Sequence, residues 1–248
     1  MSTTHDLEDT NASPCDFVSQ EMQCNLGDSV RDALFAVDPQ GTFIRHPPKP
    51  FQLDTDVTPD SQLFQTIHMG AAVVDTRRWK LVMDGMVEQP LTVSLAQLLH
   101  MPKETITAFH ECYGSPIAPP TTALWRIGNV VWAGVSLRKL LELAGPVAAA
   151  KYVWSEGFDS GIFAGVTADR YQKDLKAMSR EVLLAYEING ARPSKERGGP
   201  VRLIVPGWRG TNSTKWLCHS HSRTAALRAR SQQNSTMKLT PPILRTHD

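Results

Sequence analysis

Seventeen prolines and sixteen glycines among 248 residues cut this chain into pieces too short for long helices. Proline fixes φ and has no amide donor, so each one tends to end or bend an element. Pro39, Pro47, Pro48, Pro50 and Pro59 punctuate one stretch, which should run extended or irregular. Pro102, Gly145-Pro146 and Pro206-Gly207 each stop a later segment. Between these breaks, short strands and short helices mix without regular βαβ alternation. That pattern predicts an α+β fold with a mixed β-sheet and short helices, not a doubly wound one.

The local signals are specific. Lys80-Leu81-Val82-Met83, Asp84-Gly85 and Met86-Val87 read as strand, turn and strand, extended by Leu91-Thr92-Val93. Ser94 and Gln97 have capping-box spacing, so a short helix through His100 is expected. Thr105 to Phe109 alternates as a strand that ends at His110-Glu111-Cys112, and the turn-rich stretch from Tyr113 to Pro120 is a loop. Ser136 should cap a helix with Leu137, Leu140, Leu141 and Ala144 on its apolar face. Tyr152 to Trp154, Val182 to Tyr186 and Val201 to Val205 read as further strands. The expected organisation is a polar, Pro-rich tail and arm over 1–60, a domain over 61–218, and a basic tail over 219–248. The first ~35 residues read as mobile and 40–67 as an arm lying over the domain. The last stretch holds five Lys/Arg against one acid, Asp248, and keeps neither a 3.6 nor a 2.0 period, so it is expected to be disordered.

Charge excludes some functions. Lys plus Arg number 26 against 25 Asp plus Glu, a formal net charge of +1, so nucleic-acid binding has no electrostatic support. No apolar run approaches the ~20 residues that span a bilayer, so no membrane partner is expected. Met1 to Glu8 has neither a basic nor an apolar region of a secretory signal. Cys15, Cys24, Cys112 and Cys218 form no CxxC pair. An intracellular, reducing compartment is the expectation, cytoplasmic or mitochondrial. The phosphate loop G-x-x-x-x-G-K-[ST], the turn G-x-G-x-x-G after a strand, H-E-x-x-H and G-x-S-x-G are all absent.

Two signals for chemistry remain. Cys112 stands at the end of a strand and the mouth of a Gly/Pro loop, where a thiolate is a soft metal ligand or a nucleophile, or the thiol is a buried filler. Arg197-Gly198-Gly199-Pro200-Val201-Arg202 and Pro206 to Trp216 gather cations, hydroxyls and glycine amides around one strand. That set suits an anionic, phosphate-bearing ligand, or is a tight loop with solvated charges.

From about Phe64 to Leu217 the chain resembles the molybdenum-cofactor domain of the sulfite oxidase family, which includes the eukaryotic assimilatory nitrate reductases. The resemblance rests on Trp79-Lys80-Leu81 with Asp84-Gly85, Phe109 to Gly114 around Cys112, and Trp132-Ala133-Gly134-Val135. It continues through Glu156-Gly157-Phe158-Asp159, Glu181 to Gly190, and Gly199 to Trp216. It implies a sulfite-oxidase-type molybdopterin-binding fold, the molybdenum–molybdopterin cofactor, and oxygen-atom transfer at a metal ligated by Cys112. Residues implied to hold the cofactor are Thr66, Ile67, His68, Cys112, Asp159, Arg197, Arg202, Ser213, Thr214 and Lys215. Tyr171 matches the family's active-site tyrosine. The implied partners are a small oxyanion or sulfur-containing substrate and an external electron acceptor.

The departures are chemical too. Thr66-Ile67-His68 stands where the family commonly has Arg-Asn-His, and Tyr113 to Ala118 lacks the arginines that follow the cysteine in sulfite oxidases. A missing cation removes a charge-assisted contact worth about 1.5–3 kcal/mol to an anionic substrate. Arg126 is the nearest basic residue. No dimerisation domain follows Leu217, so a homodimer is not expected. The competing readings are a non-catalytic remnant of the family without stable cofactor, and a zinc or thiol site on His110 and Cys112.

Overall fold

The computed structural model describes residues 33–38, 43–49, 52–68, 70–115, 125–159, 162–163, 166–167, 170–174 and 181–223, the side chains of 162–174 and of residue 223 excepted. In chain order the strands are β1 (Leu34–Val37), β2 (Phe43–Arg45), β3 (Gln65–Ile67), β4 (Ala72–Val74), β5 (Lys80–Gly85) and β6 (Leu91–Ser94). Helix α1 (Leu95–His100) follows, then β7 (Glu104–Glu111), β8 (Ile127–Ser136) and helix α2 (Leu137–Ala144). The remainder is β9 (Tyr152–Gly157), β10 (Ile162–Phe163), β11 (Val166–Thr167), β12 (Arg170–Asp174), β13 (Leu183–Ile188), β14 (Arg202–Ile204) and β15 (Leu217–Arg223).

Two sheets organise the domain. One has the order β12-β9-β15-β5-β6 and is mixed, because β15 runs parallel to β5 and antiparallel to β9. The other, β14-β13-β8-β7, is antiparallel throughout. The architecture is the expected α+β one. Strand β13 shows why the second sheet holds its place. Leu184 and Tyr186 enter the main core, while Leu183 and Ala185 enter a smaller cluster on the opposite face. Side chains alternate across a strand, so a run that is apolar at every position is buried on both sides. The smaller cluster is closed by Leu63 and Phe64, which belong to the segment before β3.

Both helices follow their local chemistry. The Ser94 hydroxyl accepts from the Gln97 amide, and the Gln97 side chain accepts from the Ser94 amide, which completes the capping box of α1. Helix α2 buries Leu137, Leu140, Leu141 and Ala144 in the main core and ends at Gly145. None of the described helices is long and apolar enough to cross a membrane.

Two expectations are corrected. The turn predicted at Asp84-Gly85 is strand: β5 runs through both residues, and its antiparallel partner β6 begins at Leu91. The cause is nonlocal, since Asp84 and Gly85 pair with His221 and Ser222 of β15. Gly85 has φ +92, and a Cβ there would stand 2.3 Å from the Ser222 carbonyl oxygen, so only glycine admits this neighbour. The second correction concerns the tail expected from residue 219. Residues 219–223 continue β15, an interior strand of the mixed sheet. Its inward residues are Cys218, Ser220 and Ser222, all buried, and its outward ones are His219 and His221. Period two is present, but it is written in small polar residues rather than in branched aliphatics.

Before β3, β1 pairs with β4 and β2 with β3, while Thr58 is buried and bonds Asn129 through both backbone and hydroxyl. The mobile segment expected at the start, as far as residue 32, and the tail after residue 223 lie outside the described residues.

Replacing Gly85 by alanine should lower stability by about 2 kcal/mol or more, through left-handed backbone strain and collision with β15. The midpoint of urea unfolding measures it, and an unchanged midpoint would show that β5 and β15 do not approach this closely.

Candidate functional site

One cavity gathers the residues that carry chemistry. It encloses about 850 Å³ of space, partly open to solvent. Its walls come from β3, the end of β7, Asp159 beyond β9, β14, and the segment from Gly210 to Trp216. Thr66, Ile67, His68, Cys112, Asp159, Arg197, Arg202, Ser213, Thr214 and Lys215 all line it. Residues separated by up to 149 positions therefore face one space. Tyr171 is placed by its backbone alone, opposite Ser155 of β9, and its side chain lies outside the described residues.

Cys112 is held by its backbone. Its amide donates to the Arg126 carbonyl (2.8 Å), and its own carbonyl accepts from the Ser115 amide (3.0 Å). The thiol is half-buried, with Sγ 3.7 Å from Thr66 Oγ1. Cys112 is thus fixed at a strand end, where it lines the cavity and packs against the smaller apolar cluster.

Three cations surround the far side, and their roles differ. The Arg197 guanidinium is committed to protein: Nε meets Asp60 Oδ1 at 2.5 Å, Nη1 donates to the Phe64 carbonyl, and Nη2 donates to the carbonyls of Asp60 and Leu63. It fastens the segment carrying Phe64 and Thr66 to the turn at 195–197, so its contribution to a ligand is through position. Arg202 is 2% exposed and lies over the Trp132 ring, 5.0 Å from its centroid. It donates to the carbonyls of Arg197 and Ser213, while its Nε is buried without a partner. Lys215 donates to the carbonyls of Thr66 (2.9 Å) and Glu196 (3.3 Å).

Carbonyls satisfy hydrogen bonds but do not neutralise charge. Burial, and then the neighbouring Arg197, push Arg202 down to about 9. Burial and Arg202 push Lys215 down to about 7, against the pull of Asp159 and Cys112. A buried cation with one orphaned N–H and a part-buried cation, both lining the cavity, make a site that an anion would complete. Ser213 Oγ accepts from the Val205 amide and keeps its own proton to donate. Thr214 Oγ1 shares a hydrogen bond with Ser155 Oγ at 2.6 Å, which fixes it against β9. At Gly198, a Cβ would lie 2.5 Å from the Lys215 Cβ, so glycine lets this cation come in against the turn.

Sequence reasoning left Asp60 unnamed, and named His110 only for a zinc or thiol site and Arg126 only as the nearest basic residue. His110 lines the cavity two residues from Cys112, stacked on Phe64 (5.5 Å) and edge-on to Trp132 (5.7 Å). Alternation along β7 alone puts it on the face of Cys112. Burial, then Arg202, Lys215 and Arg197, hold its pKa well below the ordinary value, so it stays neutral. Among the described residues no third His, Cys, Asp or Glu converges on His110 and Cys112, so the zinc reading gains nothing. Arg126 donates to the Gly114 carbonyl at 2.8 Å and reaches Thr66 Oγ1 at 3.5 Å, which brings a cation beside the cysteine loop. Asp60 anchors Arg197. Neither has a local signal, since both meet their partners only through the fold.

The lowered pKa of Lys215 gives a pH dependence with a definite sign. Lys215 binds fewer protons in the folded chain than in the unfolded chain between about 7 and its ordinary value of 10.5. Stability of the cofactor-free protein therefore rises with pH across that window and is lowest below it. Thermal unfolding from pH 6.5 to 9 checks this, and Lys215→Met should flatten the rise and stabilise the cofactor-free chain at neutral pH. By contrast, Arg197→Ala leaves a buried clamp unmade and should destabilise by about 3–5 kcal/mol.

Comparison with known proteins agrees with this chemistry. A family model described as "Oxidoreductase molybdopterin binding domain" matches residues 68–228. The chain is 31% identical over 233 residues to a sulfite oxidase of Gallus gallus, covering 88% of this chain and 50% of that protein. A sulfite oxidase of Arabidopsis thaliana is 28% identical, with 75% of this chain and 53% of that protein covered. An NADPH nitrate reductase of Beauveria bassiana is 29% identical over 58% of this chain and 17% of its own length. The chain spans about half the length of the sulfite oxidases of Gallus gallus and Arabidopsis thaliana. Among solved structures, the sulfane dehydrogenase SoxCD of Paracoccus pantotrophus superposes with a TM-score of 0.67 at 27% identity, covering 93% of this chain and 58% of that one.

Proposed function

Because this chain belongs to the oxidoreductase molybdopterin-binding domain family, whose cofactor is molybdenum–molybdopterin, we propose that it is an oxidoreductase that oxidises a small oxyanion or sulfur-containing substrate at a metal ligated by Cys112. The observation that carries the reading is one cavity lined by both Cys112 and the cations Arg202 and Lys215. The residues fit the group on chemical grounds. A phosphate takes the two cations and the orphaned Arg202 Nε, and a soft thiolate suits the metal. Bound there, the cofactor supplies a redox-active metal able to exchange an oxygen atom and two electrons with a substrate.

The chain's own residues bind and orient. Arg202 and Lys215 neutralise the phosphate, and occupancy returns Lys215 to its charged state. Ser213 donates through its hydroxyl. Asp159 accepts from the pterin ring. Arg197 does not touch the ligand but holds the wall that Thr66 and His68 belong to. Thr66, bonded to the thiol through Oγ1, orients Cys112. Arg126 replaces the cations absent from the loop after the cysteine and draws the anionic substrate toward the metal. Neutral His110 adds no repulsive charge and lends a flat wall with Phe64. Tyr171 is kept as a substrate-facing hydrogen-bond donor by the resemblance. The electrons would leave to an external acceptor, the partner that the resemblance implies. Both described cysteines, Cys112 and Cys218, are free thiols, which suits a reducing compartment.

Protein made in a cofactor-synthesising host should hold about one molybdenum per chain by elemental analysis. Cys112→Ser should abolish turnover while retaining the pterin, and Arg202→Met should lose the pterin itself. A protein without molybdenum would favour the non-catalytic remnant. Arg126→Met should raise KM for sulfite about tenfold with a smaller change in kcat, the size of one charge-assisted contact. Equal KM in the two proteins would remove Arg126 from substrate binding.

A further inference from the structure

Outside the cavity, the described residues hold one convergence of metal-ligating groups, on the outer face of the mixed sheet. The spacing of β15 creates it. His219 and His221 are two positions apart, so both imidazoles stand on one side of the strand. Strand β5 runs parallel beside it, and the register pairs Asp84 with His221. The ligand atoms of Asp84, His219 and His221 all lie within 4.8 Å of one another. All three are part-exposed, and none of them lines the cofactor cavity.

We propose that Asp84, His219 and His221 form a binding site for one divalent transition-metal ion of the zinc class. Two imidazole nitrogens and a carboxylate oxygen are the donors such an ion takes, at about 2.0–2.2 Å each, with a water at the fourth position. Without the ion, Asp84 Oδ1 is the shared partner of His219 Nε2 (2.8 Å) and His221 Nδ1. The nitrogens that would ligate already point at the ligating oxygen, and the ion takes the place of the shared protons. The surroundings hold the rings. The remaining nitrogen of His219, Nδ1, faces Glu156 Oε2 at 4.0 Å, the carboxylate-behind-histidine arrangement that orients a ligand. His221 packs beside Trp154, and the missing side chain of Gly85 leaves room for its Cε1.

Location gives the site a purpose. It joins β5 to β15, a parallel pair whose members are separated by more than 130 residues and meet by loop closure alone. Small polar residues fill the inward face of β15, so packing holds it less strongly than an aliphatic strand. An ion across β5 and β15 would staple this strand into the sheet.

The test uses the full chain, stripped with a chelator and titrated with cobalt(II) and zinc(II) against a chromophoric competitor. One ion should bind per chain. Its cobalt spectrum should show visible bands of a low-coordinate nitrogen and oxygen site, without the intense thiolate charge-transfer band that Cys112 would produce. Zinc should raise the Tm, an effect absent in the variants. Asp84→Asn and His221→Gln should each weaken binding beyond the about 10–100-fold that loss of an outer-shell partner costs. Cys112→Ser should leave binding unchanged. No binding by the full chain overturns the proposal and leaves a hydrogen-bonded triad. Binding lost in Cys112→Ser but kept in Asp84→Asn and His221→Gln also overturns it, and places the ion in the cavity.

Discussion

Arg202 is buried with the part-buried Lys215 near it, and their hydrogen bonds end on backbone carbonyls. Like charges in a medium of low polarisability repel, and each also loses its hydration. A fold keeps such a pair only if the surrounding structure is strong enough to hold it, or if a counter-ion arrives from outside. The first condition is met in this domain. The Arg197 clamp to Asp60, Leu63 and Phe64 draws β3 against the 195–197 turn. The double-sided burial of β13 and β14 gives that turn a rigid base. What remains is a charge beside the cavity that Asp159 and Cys112 offset only in part, and an anion would complete it.

The same arrangement separates binding from chemistry. Cations and hydroxyls that suit a phosphate lie on β14 and the 210–216 segment, while the thiol stands at the end of β7. A ligand that fills the cavity reaches both; in the proposed reading its phosphate end would be recognised by charge and its metal end by a soft donor. Arg126 lies beside the cysteine loop, while Thr66 meets the thiol through Oγ1 and Lys215 through its carbonyl. A change at Arg126 should therefore alter substrate handling more than cofactor retention, whereas one at Thr66 touches both.

Much of the site was legible because its residues lie in compact, chemically distinctive runs. Cys112 ends a clear alternating strand, and Arg202 to Lys215 surround another. The run from Ser94 to Gln97 and the apolar face of α2 declare their helices through contacts within a few residues. The alternation that found Cys112 also puts His110 on its face, beyond the zinc or thiol site it was named for. The partners of Asp60 and Arg126 were not legible, because a single charged residue in an irregular segment carries no sign of which partner it will meet. The role of Arg197 was legible only in type: a cation near an anion site was evident, but its use as a clamp depends on where Asp60 falls.

Composition and spacing by themselves determined an α+β chain of short elements, with a candidate soft ligand at Cys112 and an anion-binding segment late in the chain. These follow from local rules, namely where proline and glycine permit an element to continue and which face apolar residues share. Tertiary structure decided that Asp84-Gly85 is strand rather than turn, and that His219 to Ser222 lies inside a sheet rather than in a tail. In both cases the partner strand is more than 130 residues away. Turn propensity at Asp84-Gly85 is worth less than the hydrogen bonds and close packing that β15 supplies, and serines read as polar linker until a neighbouring strand covers them. The pairing that overruled the local signals also brought Asp84 to His219 and His221, a juxtaposition that no stretch of sequence contains.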